Sequence, residues 1–138
     1  MSRRDAIHFE VRDALIRDGW TITDDPFYLE YLTDELQVDL GAERLIAATR
    51  GIERIAVEIK AFAGRSMLTD AQQAIGQYIF YRSLLAEQEP DRHIYLAISE
   101  EAASLIDLHP AIGLVLTKQH VGLVVVNIAS KEVVEWRI

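Results

Sequence analysis

The hydrophobic positions of the chain follow two periods, and each period predicts one type of secondary structure. Apolar residues recur every three or four positions over residues 4–20, which predicts an amphipathic helix that ends at Gly19. Residues 36–40 alternate between apolar and polar, which is the period of a strand. Together with 44–49 and 54–62, they predict an antiparallel meander of three strands.

The connections between these elements are read from turn-forming residues. Gly41 is predicted to turn the chain between the first two strands of the meander. A short strand is predicted over 20–23, ahead of the meander. Residues 24–35 contain Pro26 and several acids, and we interpret them as a loop.

The second half of the chain begins with a long helix. Thr69 and Gln72 form a T-x-x-Q capping box, which predicts a helix from about Asp70 to the residue before Pro90. The nearly continuous apolar run over 92–99 predicts a central strand that is buried on both faces. The remaining elements are predicted as a helix after Ser99 (100–109), a second short helix (110–120) and a hairpin of two strands (121–128 and 132–138).

Composition and charge narrow the class of protein. A chain of 138 residues with 50% hydrophobic residues fits one globular domain, residues 1–138. It has no cysteine, no signal peptide and no apolar run of membrane-spanning length, so we expect a soluble, cytoplasmic protein without membrane contact. The net charge of −8 disfavours strong unaided DNA binding. It is compatible with an acidic site that recruits metal ions, or with a partner that supplies a basic surface.

Two charged residues interrupt the otherwise apolar strand "IAVEIKAF", residues 55–62. Side chains two apart on a strand point the same way, so Glu58 and Lys60 share one face. Asp39 lies 19 residues before Glu58, a separation that lets the two carboxylates meet on neighbouring strands. Such a pair with a lysine can bind Mg²⁺ and orient a water for phosphodiester hydrolysis. The alternative is a solvated face with a weak ion pair, with Asp39 shaping a turn.

Polar residues on the two helices are further candidates. Gln77 and Tyr81 are i and i+4 on the long helix, where they could contact a nucleic-acid backbone or steady Lys60. The alternative from spacing alone is that Tyr81 packs in the core and Gln77 is half exposed. On the first helix, His8 is a candidate further metal ligand and Glu10 a weaker one, although a surface histidine is favoured for His8.

Six segments of the chain carry a combined resemblance to a known family: "DALIRDGWTITDDP", "VDLGAERLIAA", "IAVEIKAF", "AIGQYIFYR", "EPDRHIYLAIS" and "VVEW". Together they resemble the XisH family, the controlling factors for excision of the fdxN DNA element in cyanobacteria. The family is similar to PD-(D/E)XK nucleases, which implies a restriction-endonuclease-like αβββαβ core: an α/β fold whose mixed central sheet is flanked by helices. Val38 stands where that motif has its proline. The superfamily's metal-binding acid falls on Asp39 and its E-x-K pair on Glu58 and Lys60. The Q-x-x-x-Y element and first-helix histidine of RecB-type nucleases fall on Gln77, Tyr81 and His8.

The resemblance implies a nuclease that uses Mg²⁺ or Mn²⁺, with Asp39 and Glu58 as metal ligands, acting on nucleic acid, favoured to be DNA. An alternative is a non-catalytic excision controlling factor that works through contacts with a XisI-like partner protein. A third hypothesis comes from the residues alone. The apolar stretch 122–128 could be an edge strand that pairs two copies as a homo-oligomer.

Overall fold

The computed structural model describes residues 6–138, which form four helices and eight strands. Six of the strands make one sheet, and the other two form a separate hairpin. The elements are α1 (His8–Arg17), β1 (Thr21–Asp24), β2 (Phe27–Tyr31), β3 (Asp34–Val38), β4 (Leu40–Ile46), β5 (Gly51–Ile59), α2 (Met67–Gln88), β6 (Arg92–Ser99), α3 (Glu100–Asp107), α4 (Pro110–Lys118), β7 (Leu123–Asn127) and β8 (Glu132–Arg137).

The large sheet is mixed, with strand order β1-β4-β5-β6-β7-β8. Its two central pairings, β5 with β6 and β6 with β7, are parallel, and the others are antiparallel. Parallel neighbours need a crossover connection, which α2 provides before β6 and the pair α3–α4 provides before β7. The central strands are therefore covered by helices, as the apolar run over 92–99 predicted.

Two hydrophobic cores lie on opposite faces of this sheet. One contains Val11, Leu15 and Trp20, which pack with the β5 residues Ile55 and Val57. The other contains buried residues of α2, α3 and α4 together with the β2–β3 hairpin. Helices thus flank both faces of the sheet, and the predicted mixed α/β architecture is confirmed.

The β2–β3 hairpin occupies most of the segment that was predicted as a loop, so that prediction is wrong. Phe27 and Leu29 alternate with exposed neighbours and point into the core, which is the period-two pattern of a half-buried strand. Leu29 pairs with Leu36. The predicted strand 36–40 is therefore divided: β3 closes the hairpin at Val38, and the large sheet resumes with β4.

Gly41 lies inside β4, which corrects its predicted role as a turn. It pairs with Asp24 on one side and with Ala56 on the other. A Cβ at this position would lie 2.8 Å from Oδ2 of Asp24 and 2.9 Å from the Phe27 ring. Close approach of these side chains is therefore the reason for glycine here.

The first three strands of the sheet are β1, β4 and β5, so the order α, β, β, β, α, β holds once the hairpin is set aside. The predicted meander of 36–40, 44–49 and 54–62 is wrong in its first strand, because β1 pairs with β4 and residues 34–38 pair with β2. The helix α2 begins at Met67, three residues earlier than predicted. Ser66 caps it, because its hydroxyl accepts a hydrogen bond from the backbone N–H of Thr69 at 3.2 Å. The helix ends at Gln88, before Pro90 as predicted.

The C-terminal elements follow the predicted order, with one correction. Strand β7 pairs with β6 on one side and β8 on the other, so it is not a sheet edge available to a second copy. The edges of the large sheet are β1 and β8. Within residues 6–138, no helix has both the length and the apolar character needed to cross a membrane.

Candidate active site

Asp39 and Glu58 meet at the point where β4 starts beside β5. The first paired residues of these strands are Leu40 and Val57, so the next position along brings Asp39 opposite Glu58. The backbone N–H of Asp39 donates to Oε1 of Glu58 at 3.3 Å. In return, the N–H of Ile59 donates to Oδ2 of Asp39 at 2.8 Å. One oxygen of each carboxylate is thus held by a backbone amide, and the predicted meeting of the two acids is observed.

The alternation of β5 explains why an acid is buried here. Ile55, Val57 and Ile59 face the core under α1, so Glu58 must face the opposite side of the sheet. That side is covered by α2 and the β2–β3 hairpin, which leaves Glu58 only 8% exposed. The strand therefore places a carboxylate where water has little access, which excludes the alternative of a solvated face at this residue.

The environment raises the pKa of Glu58 to about 9. Burial is the largest cause, and the charge of Asp39 and a hydrogen bond between the two side chains also raise the pKa. The hydrogen bond from the Asp39 backbone amide and the positive charge of Lys60 lower the pKa of Glu58, but by less. Two acids in this environment retain a proton at neutral pH. A divalent cation is the kind of group that can replace that proton and let both carboxylates ionise.

Lys60 follows directly after β5, which ends at Ile59 rather than at residue 62 as predicted. Its backbone N–H donates to the carbonyl of Ala97 at 3.0 Å, so the chain is still anchored to β6 at this point. The side chain is half-buried. Its positive charge lowers the pKa of Glu58, as the smallest of the causes that act on that carboxyl.

Tyr81 and Gln77 have different environments on α2, although they are only one helical turn apart. Tyr81 is 7% exposed and packs in the core. Burial raises the pKa of its phenol first, and the negative charges of Glu58 and Asp39 raise it further, so the phenol stays protonated beside the acids. Gln77 is exposed. The structure therefore brings Tyr81 to the acid pair and leaves Gln77 at the surface.

His8 is buried, at 2% exposure, so the favoured reading of a surface histidine is wrong. Its Nε2 lies 2.8 Å from Oδ1 of Asp25, and Arg12 donates to the other oxygen of the same carboxylate. Asp25 is the residue that the sequence analysis missed. Nothing local distinguishes it from the other acids in 24–35, since its partners come from α1.

The possible ligands of a metal ion are consequently few. Across residues 6–138, no three histidine, aspartate or glutamate side chains gather at a distance suited to one metal ion. His8 is therefore not assembled with Asp39 and Glu58, and its role as a ligand stays a prediction. The two carboxylates are sufficient in number for Mg²⁺, which is usually held by one or two carboxylates with waters and phosphate oxygens.

Comparison with known proteins decides the family. A sequence model described as "XisH protein" matches residues 1–134. The chain belongs to the XisH family. A XisH family protein from Nostoc punctiforme has a crystal structure with a TM-score of 0.87 and 28% identity, covering 97% of this chain and 100% of that one. An fdxN element excision controlling factor protein from Anabaena variabilis gives 0.85 and 31%, covering 96% and 98%. No curated protein matches the chain.

Proposed function

We propose that this XisH protein is a metal-dependent nuclease of the PD-(D/E)XK type that hydrolyses phosphodiester bonds. The observation that carries the proposal is the meeting of Asp39 and Glu58, 19 residues apart, next to Lys60. Burying two like charges together destabilises a fold unless one is protonated or a cation binds. Strongly perturbed carboxylates beside a lysine are typical of catalytic sites.

Asp39 and Glu58 are the residues that would hold Mg²⁺ or Mn²⁺. Their fit is supported by the raised pKa of Glu58, because a divalent cation relieves the repulsion that keeps the proton there. When bound, such a metal lowers the pKa of a water and polarises a phosphoryl oxygen. The amide N–H groups of Asp39 and Ile59 fix one oxygen of each carboxylate, which holds the pair in a single orientation.

The other side chains have complementary roles in this proposal. The ammonium of Lys60 positions the attacking water and stabilises negative charge that develops on the phosphate. The buried phenol of Tyr81 keeps its proton and can donate a hydrogen bond to the acid pair or the substrate. Gln77, at the surface one turn away, can contact the nucleic-acid backbone.

DNA is the substrate that we favour. The Anabaena variabilis relative is described as an fdxN element excision controlling factor, and excision of a DNA element requires strand cleavage. The chain's charge of −8 opposes unaided binding to phosphates, so a partner with a basic surface would strengthen substrate contact.

The test is cleavage of single- and double-stranded DNA and RNA with Mn²⁺, with and without a XisI-like protein. We expect cleavage that Lys60→Ala reduces by at least about 10²-fold, because the lysine acts on developing charge. Lys118→Ala, which removes an exposed lysine at the end of α4, is the matched control and should retain activity. Absence of cleavage under all these conditions, or equal activity in Lys60→Ala, would refute the nuclease proposal.

A second candidate is a non-catalytic controlling factor that acts through a XisI-like partner protein. The relative's description and the net charge of −8 favour it. An excision assay with Glu58→Gln and Lys60→Ala separates the two candidates. Excision that proceeds normally with both variants but fails when the partner is deleted supports the non-catalytic role. Loss of excision in folded variants that still bind the partner supports the nuclease.

A further inference from the structure

A basic cleft lies between the C-terminal half of α2, the start of β6 and the segment after α4. Its volume is about 320 Å³, within the range of small-molecule sites. Two arginines and two of the four histidines of the chain line it, and no aspartate or glutamate does so. These four residues are Arg82, Arg92, His93 and His120.

The positive charge of Arg82 is not neutralised by a carboxylate of residues 6–138. Its Nη1 donates to the backbone carbonyl oxygen of Gln119 at 2.5 Å and to that of His120 at 3.5 Å. The guanidinium also lies 5.3 Å from the centre of the Tyr78 ring. A guanidinium has five N–H donors, and these contacts use one of its nitrogens, so it is oriented while further donors remain for an anion.

The rest of the cleft is rigid. Arg92 is 8% exposed and donates to the Ile55 carbonyl at 2.9 Å and to Glu89 at 3.3 Å, which makes it a structural residue. The phenol of Tyr78 donates to the Ile94 carbonyl at 3.1 Å and accepts from the N–H of Gly122 at 3.0 Å. The walls formed by Arg92 and Tyr78 are therefore held by hydrogen bonds, and ligand binding would cost little conformational entropy there.

An apolar surface completes the cleft beside the cationic groups. Leu85, Ile94 and the ring of Tyr95 line it. The Tyr95 ring approaches the backbone at Gly122 so closely that a Cβ there would lie 2.9 Å from it. A site with one oriented arginine, two histidines at its rim and an apolar floor matches a ligand with an anionic head and an organic body.

We propose that this cleft binds a phosphate monoester, with Arg82 contacting the phosphoryl oxygens and His93 and His120 donating from the rim. Arginine recognises phosphate through paired N–H donors, which favours a phosphoryl group over a monovalent anion. In an acidic chain, a cleft whose lining contains Arg82 and no aspartate or glutamate side chain is a place where such a group meets little repulsion, although the C-terminal residue Ile138 also lines it.

The cleft is separate from the acid pair and does not depend on the proposed nuclease activity. Glu58 pairs with Leu96, which lies outside the cleft, because the part of β6 that lines the cleft runs from Arg92 to Tyr95. The cleft and the acid pair also share no residue.

The test is an NMR titration of the backbone amides with adenosine 5′-monophosphate, inorganic phosphate and adenosine, at constant ionic strength set with chloride. We expect saturable shifts centred on Gly122 and Tyr95, strongest for the monophosphate, weaker for phosphate and absent for adenosine. Equal affinity for phosphate and the monophosphate would overturn the monoester assignment. Binding of adenosine as tightly as the monophosphate would overturn the role of the phosphoryl group.

Substitutions of residues that line the cleft test whether the monophosphate binds there. Arg82→Gln should weaken monophosphate binding by about tenfold or more, the effect expected for losing a charged hydrogen bond. Arg50→Gln removes the same charge from the exposed β4–β5 turn and should leave affinity unchanged. If Arg82→Gln does not fold, His120→Asn is the variant whose affinity tests the proposal. It is expected to fold, because asparagine tolerates the positive φ of 52° at this position. Unchanged affinity in the folded variant, or shifts that never saturate, would refute the proposal.

Discussion

Two clusters of charged side chains, one beside α1 and one where β4 starts beside β5, are built on opposite principles. In the first, His8 and Arg12 of α1 surround the carboxylate of Asp25, so a negative group is matched by donors. In the second, Asp39 and Glu58 face each other as like charges. The first arrangement stabilises the fold, whereas the second costs stability unless a proton or a cation intervenes.

The difference distinguishes a structural cluster from a candidate active site. In the first cluster, the Asp25 carboxylate finds its donors within the chain, although Nδ1 of the buried His8 has no hydrogen-bond partner among residues 6–138. A like-charge pair instead has an unmet requirement, which is the property that a metal-dependent site has before its metal binds. The following substitutions test this comparison.

The largest effect on stability is expected from the matched cluster. Asp25→Ala leaves the buried His8 and the half-buried Arg12 without their shared acceptor, and we expect a loss of about 3 kcal/mol in the free energy of unfolding. Urea denaturation measures it. Asp13→Ala is the control, because Asp13 makes only an exposed contact with Lys131 at 3.6 Å and should change stability by less than about 0.5 kcal/mol. Equal effects of the two substitutions would contradict the structural role of Asp25.

Metal binding should stabilise the like-charge pair. At ten times its dissociation constant, Mn²⁺ should raise the free energy of unfolding by about 1.4 kcal/mol, because it binds the folded state alone. Thermal unfolding at neutral pH with and without Mn²⁺ measures the effect, and chelation should reverse it. Glu58→Gln should abolish the gain, whereas Asp13→Asn should keep it. Stabilisation that survives in Glu58→Gln would place the metal elsewhere.

Removing one of the like charges should also stabilise the metal-free protein. Glu58→Gln is expected to gain at least about 1 kcal/mol near pH 7, since one unit of pKa shift corresponds to about 1.4 kcal/mol. The folded-state pKa of Glu58 is raised from 4.5 to about 9, so between these values the unfolded chain releases a proton that the folded chain retains. Wild-type stability therefore falls relative to Glu58→Gln as pH rises through this window.

Urea denaturation of both proteins at several pH values measures that difference. Below pH 4.5 the carboxyl is protonated in both states, so the pH-dependent part of the gain should vanish. Glu87→Gln, an exposed substitution on α2, is the control and should show no comparable trend. A gain for Glu58→Gln that is the same at every pH would show that folding does not raise the pKa of Glu58, through burial or through Asp39.

The smallest effect is expected at Gln77, which is exposed and has neither the partners of Asp25 nor the repulsion of Glu58. Gln77→Ala should change the free energy of unfolding by no more than about 0.5 kcal/mol. In a cleavage assay it should raise KM for nucleic acid with little effect on kcat, because it contacts the substrate backbone in the proposed site. Gln73→Ala, also exposed on α2, should alter neither quantity. A change in kcat alone would argue against this role.

Much of the candidate site was predictable because it depends on local rules. The alternation of side chains on a strand placed Glu58 opposite the apolar face of β5. The 19-residue separation allowed Asp39 to meet it. Tyr81 is buried and Gln77 is exposed, so these two residues agree with the alternative prediction of a core tyrosine and a more exposed glutamine rather than with a shared site. In each case the deciding information lay within one element or one pair of consecutive strands.

The errors have a common cause in contacts between distant segments. His8 was predicted to lie at the surface because its partner, Asp25, comes from a segment 17 residues away. Gly41 was predicted to form a turn because the sequence does not show that the side chains of Asp24 and Phe27 pack against its backbone. The hairpin was hidden by the acids and the proline around it, although Phe27 and Leu29 alternate as strand residues do.

The sequence by itself determined the family, the mixed α/β class and the two acids, Asp39 and Glu58, that we propose as metal ligands. Periodicity and spacing suffice for these because they are set by backbone geometry, which every strand and helix shares. Only the tertiary structure decided that Glu58 is buried against Asp39, that His8 belongs to a separate cluster and that Arg82 opens onto a basic cleft. Burial and charge pairing depend on which segments pack together, and that information is not contained in any single stretch of chain.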